Sequence, residues 1–172
     1  MPHIFNADFY YKKIIMKTKH IGISVEVYDS FADLQAEDKA LVQHAQQASA
    51  AAYAPYSCFQ VGAAVLLDNG EVVLASNQEN EAYPSGLCAE RTALFYAGAK
   101  YPHAAVKSIA IAAQTGGQPC ARAVYPCGAC RQVMLECEKR GKQPIRVIMY
   151  GEKLTEVTKS ISDLLPLSFE LE

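Results

Sequence analysis

Three cysteines and one glutamate are the residues of this sequence whose types and spacing best fit catalytic chemistry. Cys88 and Glu90 stand two residues apart, and Cys127 and Cys130 form a second group further along the chain. Residues three apart share one face of a helix, so Cys127 and Cys130 converge if a helix begins there. Pro126 suits such a helix start, because its missing N–H costs little in the first turn. Thiolates in this pattern indicate a zinc site.

The geometry of the site follows from the helix starts. Cys88 also precedes a predicted helix, and Glu90 reaches the same point only if the metal lies off the helix end, near its axis. We therefore predict that two helix N-termini point at one zinc ion and favour the thiolate forms of the cysteines. Three thiolates and a dication sum to one negative charge, so we expect a compensating cation. Arg91 is the candidate donor of hydrogen bonds to the ligand sulfurs.

Other interpretations of the cysteines stay open at this point. A CxxC pair alone could be a redox pair or half of a structural zinc knuckle. A structural zinc could also take a fourth ligand, for which the candidates are Cys58, Cys120, Cys137 and His103. The apolar surroundings of Cys58 and Cys137 favour core packing instead. Glu90 favours the catalytic interpretation, because three protein ligands leave one zinc position open and a structural site has no use for a carboxylate there.

The elements that must position these residues alternate between strands and helices. The pattern predicts strands over 21–28, 61–67, 72–75, 106–113, 145–150 and 154–160, and helices over 30–52, 88–99, 127–140 and 162–165. Asp68-Asn69-Gly70 indicates a hairpin turn between the second and third strands. A hairpin followed by strands that alternate with helices predicts an α/β fold, with a mixed sheet covered by helices.

Two local patterns add detail at the start of the chain. The first strand alternates strictly, which predicts one buried face formed by Ile21, Ile23, Val25 and Val27. Ser30, with Asp33 three residues later, resembles a capping box at the start of the first helix.

Length and composition exclude several functional classes. The 172 residues, 51% hydrophobic and 20% charged, predict a single globular domain over 16–172. A net charge of −2 means that the chain has no excess of positive charge with which to bind nucleic acid. No apolar run is long enough for a membrane span. Residues 1–15 lack the apolar run of a signal peptide, so we interpret them as a disordered tail or a mis-called start before Met16. A cytoplasmic location, where six cysteines stay reduced, is the corresponding expectation.

Six short motifs, two of which contain the cysteines discussed above, follow one another along the chain. They lie at residues 56–64, 77–80, 83–84, 88–93, 126–132 and 164–166. Zinc deaminases carry a His- or Cys-x-Glu motif followed by Pro-Cys-x-x-Cys, and residues 88–90 and 126–130 match it. On these motifs, roughly residues 35–169 resemble the cytidine deaminase family, specifically its small homotetrameric branch.

The resemblance implies a fold and an activity. The fold would be a three-layer α-β-α arrangement with a mixed central sheet of about five strands. The activity would be hydrolytic deamination of free cytidine and deoxycytidine to uridine and deoxyuridine plus ammonia. One Zn²⁺ per subunit would be held by Cys88, Cys127 and Cys130, with a zinc-bound hydroxide as nucleophile and Glu90 as proton shuttle.

The resemblance also implies roles around the metal. The substrate-binding residues would be Phe59, Asn77, Glu79 and Ala89, and Tyr83 and Phe169 would reach a neighbouring subunit's site in a homotetramer, or in a dimer. Glu81 stands where the family usually has a small residue. The alternatives are a deaminase of another cytosine compound such as blasticidin S, or an inactive zinc-stapled binding or oligomerisation module. Glu90 and the loop at 77–83 argue against the module.

Overall fold

A mixed β-sheet forms the centre of the chain in the computed structural model, which describes residues 16–169. Its strands are β1 (Glu26–Tyr28), β2 (Phe59–Leu67), β3 (Val72–Ser76), β4 (Val106–Thr115), β5 (Gln118–Pro119), β6 (Arg146–Met149) and β7 (Thr155–Thr158). The order is β1-β7-β6-β4-β2-β3, with β5 paired to β4. β4 and β6 pair in parallel, and the other pairs are antiparallel. The mixed sheet is thus confirmed, and only the two-residue β5 lies where the pattern predicts a loop.

Helices cover both faces of this sheet. They are α1 (Ala36–Ser49), α2 (Ala89–Lys100) and α3 (Gly128–Gly141), with short 3₁₀ helices at Phe31–Asp33, Tyr83–Ser85 and Ile161–Asp163. One core cluster joins α1 to the sheet and includes Leu41, Val42, Ala64, Ala110 and Ile148. The cluster on the opposite face joins α2 and α3 to it and includes Leu94, Met134, Val65, Ile109 and Val147. These two cores confirm the three-layer α-β-α arrangement, and no helix within residues 16–169 is long and apolar enough to cross a bilayer.

The first helix differs from its prediction at both ends. Ser30 does not cap α1: its Oγ accepts a hydrogen bond from the N–H of Ala32 at 3.1 Å, within the 3₁₀ turn Phe31–Asp33. The backbone is then extended at Leu34 (ψ 152°) and Gln35 (ψ 156°), which interrupts helical hydrogen bonding. The capping-box prediction is therefore wrong, and α1 covers 36–49 rather than 30–52.

The strand predicted over 21–28 is confirmed only for its last three residues. The alternating apolar residues are exposed, Ile23 by 55% and Val27 by 57%, so the predicted buried face is wrong. The opposite face packs instead, since Tyr28 contacts the core beneath α1. An ion pair fixes this orientation: Arg146 Nη2 on β6 lies 3.1 Å from Glu26 Oε2.

A close approach between α1 and β2 requires a glycine. A Cβ at Gly62 would overlap the carbonyl oxygen of Ala45 and the backbone nitrogen of Ser49.

The hairpin predicted after β2 is also present, with Gly70 at φ +86° and its N–H bonded to Leu67 O at 3.1 Å. The hypothesis about residues 1–15 lies outside the described residues and stays a prediction.

Candidate active site

The N-termini of α2 and α3 bring three cysteine sulfurs together. Cys88 and Cys127 are the residues that immediately precede α2 and α3, and Cys130 lies in the first turn of α3. The Sγ atoms of Cys88 and Cys127 are 3.8 Å apart, and those of Cys127 and Cys130 are 3.4 Å apart. In the structure, two helix starts therefore converge on one point, as predicted.

This donor set fits a zinc ion. Thiolates about 2.3 Å from a tetrahedral zinc lie about 3.8 Å from one another, and all three Sγ atoms lie within 4.8 Å of each other here. Within the described part of the chain, no further histidine, cysteine or carboxylate joins the cluster. The fourth-ligand candidates Cys58, Cys120, Cys137 and His103 lie outside it.

The surroundings of Cys88 and Cys130 shift the pKa values of their thiols in opposite directions. A hydrogen bond from Cys130, supported by Arg91, lowers the pKa of the Cys88 thiol to about 5. The same interaction with Cys88, together with burial and the nearby Glu90 charge, raises the pKa of Cys130. The expectation that the helix N-termini favour the thiolate forms stays a prediction, because these shifts arise from burial and from contacts with neighbouring side chains rather than from the helix ends. Zinc binding requires the thiolate form of each cysteine ligand.

Glu90 is buried in the first turn of α2, with 4% of its surface exposed. Burial raises the pKa of this carboxyl, and the adjacent Cys88 charge adds to the effect, whereas a hydrogen bond from Cys130 opposes it. Glu90 therefore lies against the sulfur cluster in an environment that stabilises its protonated form.

Arg91 provides the positive charge expected beside the sulfurs. Its Nη2 lies 3.9 Å from Cys88 Sγ, and that sulfur is the main reason that the pKa of Arg91 is raised. Its Nε is buried and has no hydrogen-bond partner among residues 16–169.

A cavity of about 450 Å³ opens beside Cys88. Its lining brings together five residues that the sequence singles out and six others. The five are Asn77, Glu79, Tyr83, Cys88 and Arg91, and the six are Tyr56, Ser57, Gln78, Asn80, Gly86 and Leu87. Phe59, Ala89 and Glu90 are not part of that lining, and Phe169 is 71% exposed outside it. Ala89 is fully buried, and Phe59 is half-buried at the start of β2.

Asn77 ties the loop after β3 to the start of β2. Its Oδ1 accepts from the N–H of Val61 at 2.8 Å, and its Nδ2 donates to the carbonyl of Phe59 at 3.0 Å. An amide carries two donors and two acceptor lone pairs, so Asn77, which lines the cavity, keeps one of each beyond these two bonds.

Glu79 is held by a part of the chain that the sequence analysis did not connect to it. Its Oε2 accepts from the backbone N–H of Tyr56 at 2.9 Å and of Ser57 at 3.2 Å, and its Oε1 accepts from Ser57 Oγ at 2.5 Å. These bonds, that of the Ser57 hydroxyl foremost, lower the pKa of Glu79. The following Cys58 is exposed at φ +56°, so its expected core packing is wrong, whereas Cys137 is buried as expected.

Known proteins are similar to this chain in sequence. The family model of the cytidine and deoxycytidylate deaminase zinc-binding region matches residues 35–142. The cytidine deaminase of Halalkalibacterium halodurans is 43% identical over 132 residues, which are 77% of this chain and 93% of that protein. That of Sporosarcina psychrophila is 39% identical over 77% of this chain and 90% of its own length.

Solved structures of cytidine deaminases are similar to this chain in fold. The crystal structure of cytidine deaminase from Burkholderia pseudomallei has a TM-score of 0.64 at 40% identity and covers 79% of this chain and all of that one. The structure from Mycobacterium tuberculosis has a TM-score of 0.63 at 33% identity, over 80% of this chain and all of its own. With a family model that spans most of the chain and relatives above 30% identity, this chain belongs to the cytidine and deoxycytidylate deaminase family.

Proposed function

We propose that this protein hydrolyses cytidine and deoxycytidine to uridine and deoxyuridine, with release of ammonia. The observation that carries the proposal is a buried carboxyl, Glu90, against a cluster of three cysteines, one of which, Cys88, lines a cavity. The family to which the chain belongs, and relatives whose names give cytidine deaminase, support the same reaction.

Cys88, Cys127 and Cys130 would hold one zinc ion per chain. Zinc in such a site supplies Lewis acidity, which makes water a nucleophile at neutral pH. Glu90 takes a proton from water and gives it to the ring nitrogen beside the amine-bearing carbon, which makes that carbon electrophilic. The same carboxyl then delivers the second water proton to the departing amine, so that one water is consumed and one ammonia leaves. Burial suits Glu90 to this exchange, because its raised pKa lets the carboxyl hold a proton.

The cavity residues would position the nucleoside. Asn77 and Glu79 offer an amide and a carboxylate to the sugar hydroxyls, and both line the cavity. Phe59 offers an aromatic face to the flat base, and the buried Ala89 lies between Cys88 and Glu90, where the pyrimidine must approach.

A homotetramer accords with the exposed surface. Large side chains beside the cavity and on α2 are exposed, Tyr83 by 75% and Phe95 and Tyr96 by 54% each. Aromatic side chains are enriched at protein–protein contacts relative to the rest of the surface. Tyr83 and Phe169 would then contact the site of a neighbouring copy.

Three thiols that must stay reduced to bind zinc accord with a cytoplasmic location.

Side-by-side assays of the zinc-loaded protein test the proposal. Cytidine, deoxycytidine and blasticidin S are offered separately, and ammonia and the ultraviolet absorbance of the base are followed. We expect one uridine and one ammonia per cytidine consumed. Release from blasticidin S alone would replace the substrate assignment, and zinc binding with no ammonia from any of the three would favour an inactive zinc-stapled module.

A further inference from the structure

One hydroxyl connects two segments of the cavity wall. Ser57 Oγ donates to Glu79 Oε1 at 2.5 Å and accepts from the backbone N–H of Phe59 at 3.0 Å. Ser57 and Glu79 are 22 residues apart in sequence and both line the cavity. The hydroxyl therefore links the carboxylate proposed to bind the sugar to the residue proposed to contact the base.

The Glu79 carboxylate has little accepting capacity left. An ionised carboxylate offers about four lone-pair positions. Oε2 uses both of its positions for the N–H groups of Tyr56 and Ser57, and Oε1 uses one for the Ser57 hydroxyl. One position on Oε1 remains, and its direction is set by the bond from Ser57.

The turn around Ser57 depends on these hydrogen bonds. Cys58 adopts φ +56°, a left-handed conformation that side-chain-bearing residues rarely take. The N–H of Phe59 closes the turn on Ser57 Oγ, and the N–H groups of Tyr56 and Ser57 anchor it to Glu79. The carboxylate and the turn thus orient each other.

We propose that Ser57 is a positioning residue that aims the one free acceptor position of Glu79 at a single sugar hydroxyl. This rests on the proposed function. The ring hydroxyl that cytidine and deoxycytidine share is the 3′-hydroxyl, so that group is the partner that a single acceptor serves for both substrates. Ser57 itself does not need to touch the substrate.

The test compares cytidine with 3′-deoxycytidine in steady-state kinetics on the zinc-loaded protein. We expect Ser57→Ala to raise KM for cytidine about tenfold, the order of one hydrogen bond to a charged group, with kcat changed much less. With 3′-deoxycytidine, which lacks the hydroxyl, Ser57→Ala should lower kcat/KM far less than it does with cytidine. Ser57→Thr retains the hydroxyl and should restore most of the preference for cytidine.

Ser30→Ala is the matched control, because Ser30 Oγ also accepts an N–H two residues on, at 3.1 Å, but belongs to the turn before α1. It should leave both substrates unaffected. The inference is overturned if Ser57→Ala lowers kcat/KM equally on cytidine and 3′-deoxycytidine. It is also overturned if Ser57→Thr has the same kinetics as Ser57→Ala. If Ser57→Ala does not fold, Ser57→Cys, with a weaker donor of similar size, must show the same sugar-dependent loss. An unmodified protein that binds zinc but leaves cytidine unchanged would instead defeat the proposed function.

Discussion

Glu79 and Glu90 show how environment assigns different chemistry to the same side chain. Burial raises the pKa of Glu90, whereas the Ser57 hydroxyl and two backbone N–H groups lower that of Glu79. A carboxyl that can hold a proton suits proton transfer, and one that stays ionised suits the binding of a hydroxyl.

Glu90→Gln should retain zinc and substrate binding while turnover falls by about 10²-fold or more, because the amide cannot exchange protons. Zinc content by atomic absorption and kcat on cytidine check this together. Glu79→Gln, a carboxylate-to-amide change in the cavity wall, serves as the control and should act chiefly through KM. Near-normal kcat in a zinc-loaded Glu90→Gln protein would remove Glu90 from the proposed role.

Arg91→Ala should weaken zinc retention, because it leaves the excess negative charge of three thiolates uncompensated. Competition with a chelator of known affinity measures this, and a loss of about tenfold or more is expected, the low end for groups that support metal ligands. Arg140→Ala is the control: its Nη2 lies 4.0 Å from the sulfur of Cys137, outside the cluster. Equal zinc affinity in the two variants would contradict the role of Arg91.

At the residue scale, sequence reasoning works where the geometry is local. The convergence of Cys127 and Cys130 follows from helical spacing alone, and the structure has both in one turn. The bond from Ser57 to Glu79 spans 22 residues and a cavity, so no local periodicity indicates it. The raised pKa of Cys130 depends likewise on Cys88, the residue that precedes another helix.

At the scale of elements, the predictions succeed where apolar pattern and burial coincide. β2, β4 and α3 appear within two residues of their predicted bounds. The face of β1 is wrong because ion pairing, rather than alternation, decides which side packs: Arg146 holds Glu26 on the α1 side. The start of α1 is wrong because a 3₁₀ turn satisfies Ser30 before the helix begins.

Gly62→Ala should destabilise the fold by about 3 kcal/mol, because the added Cβ overlaps the α1 backbone, and separating α1 from β2 opens a core. Urea unfolding followed by circular dichroism measures the change in the free energy of unfolding. Gly22→Ala, where nothing lies within 4 Å of the added Cβ, is the control and should stay within about 0.5 kcal/mol. Comparable stability of the two variants would show that α1 and β2 are further apart than described.

At the scale of the whole molecule, one arginine joins three elements. Arg146 on β6 pairs with the buried Asp38 of α1 at 2.9 Å and with Glu26 of β1 at 3.1 Å. This network attaches β1, which precedes the family match, to the layers that carry the site.

Glu26→Gln should lower the melting temperature at pH 7, because it removes a carboxylate paired with Lys159 and Arg146. Those partners, Lys159 foremost, lower the pKa of Glu26 in the folded chain. Its contribution is therefore complete above the unfolded pKa of about 4.5 and is lost as pH falls through the lower folded value. Melting curves from pH 7 to pH 3 should show the two proteins converge at the acid end. A difference that persists unchanged at pH 3 would exclude this ion pair as its source.

The account as a whole depends on a metal held by three sulfurs beside one buried carboxyl. Its most direct test is uridine formation from cytidine by the same preparation before zinc removal, after it, and after one equivalent of zinc is returned. The account predicts turnover that disappears with the metal and returns in full at one zinc per chain. Undiminished conversion of cytidine by the zinc-free protein would contradict it.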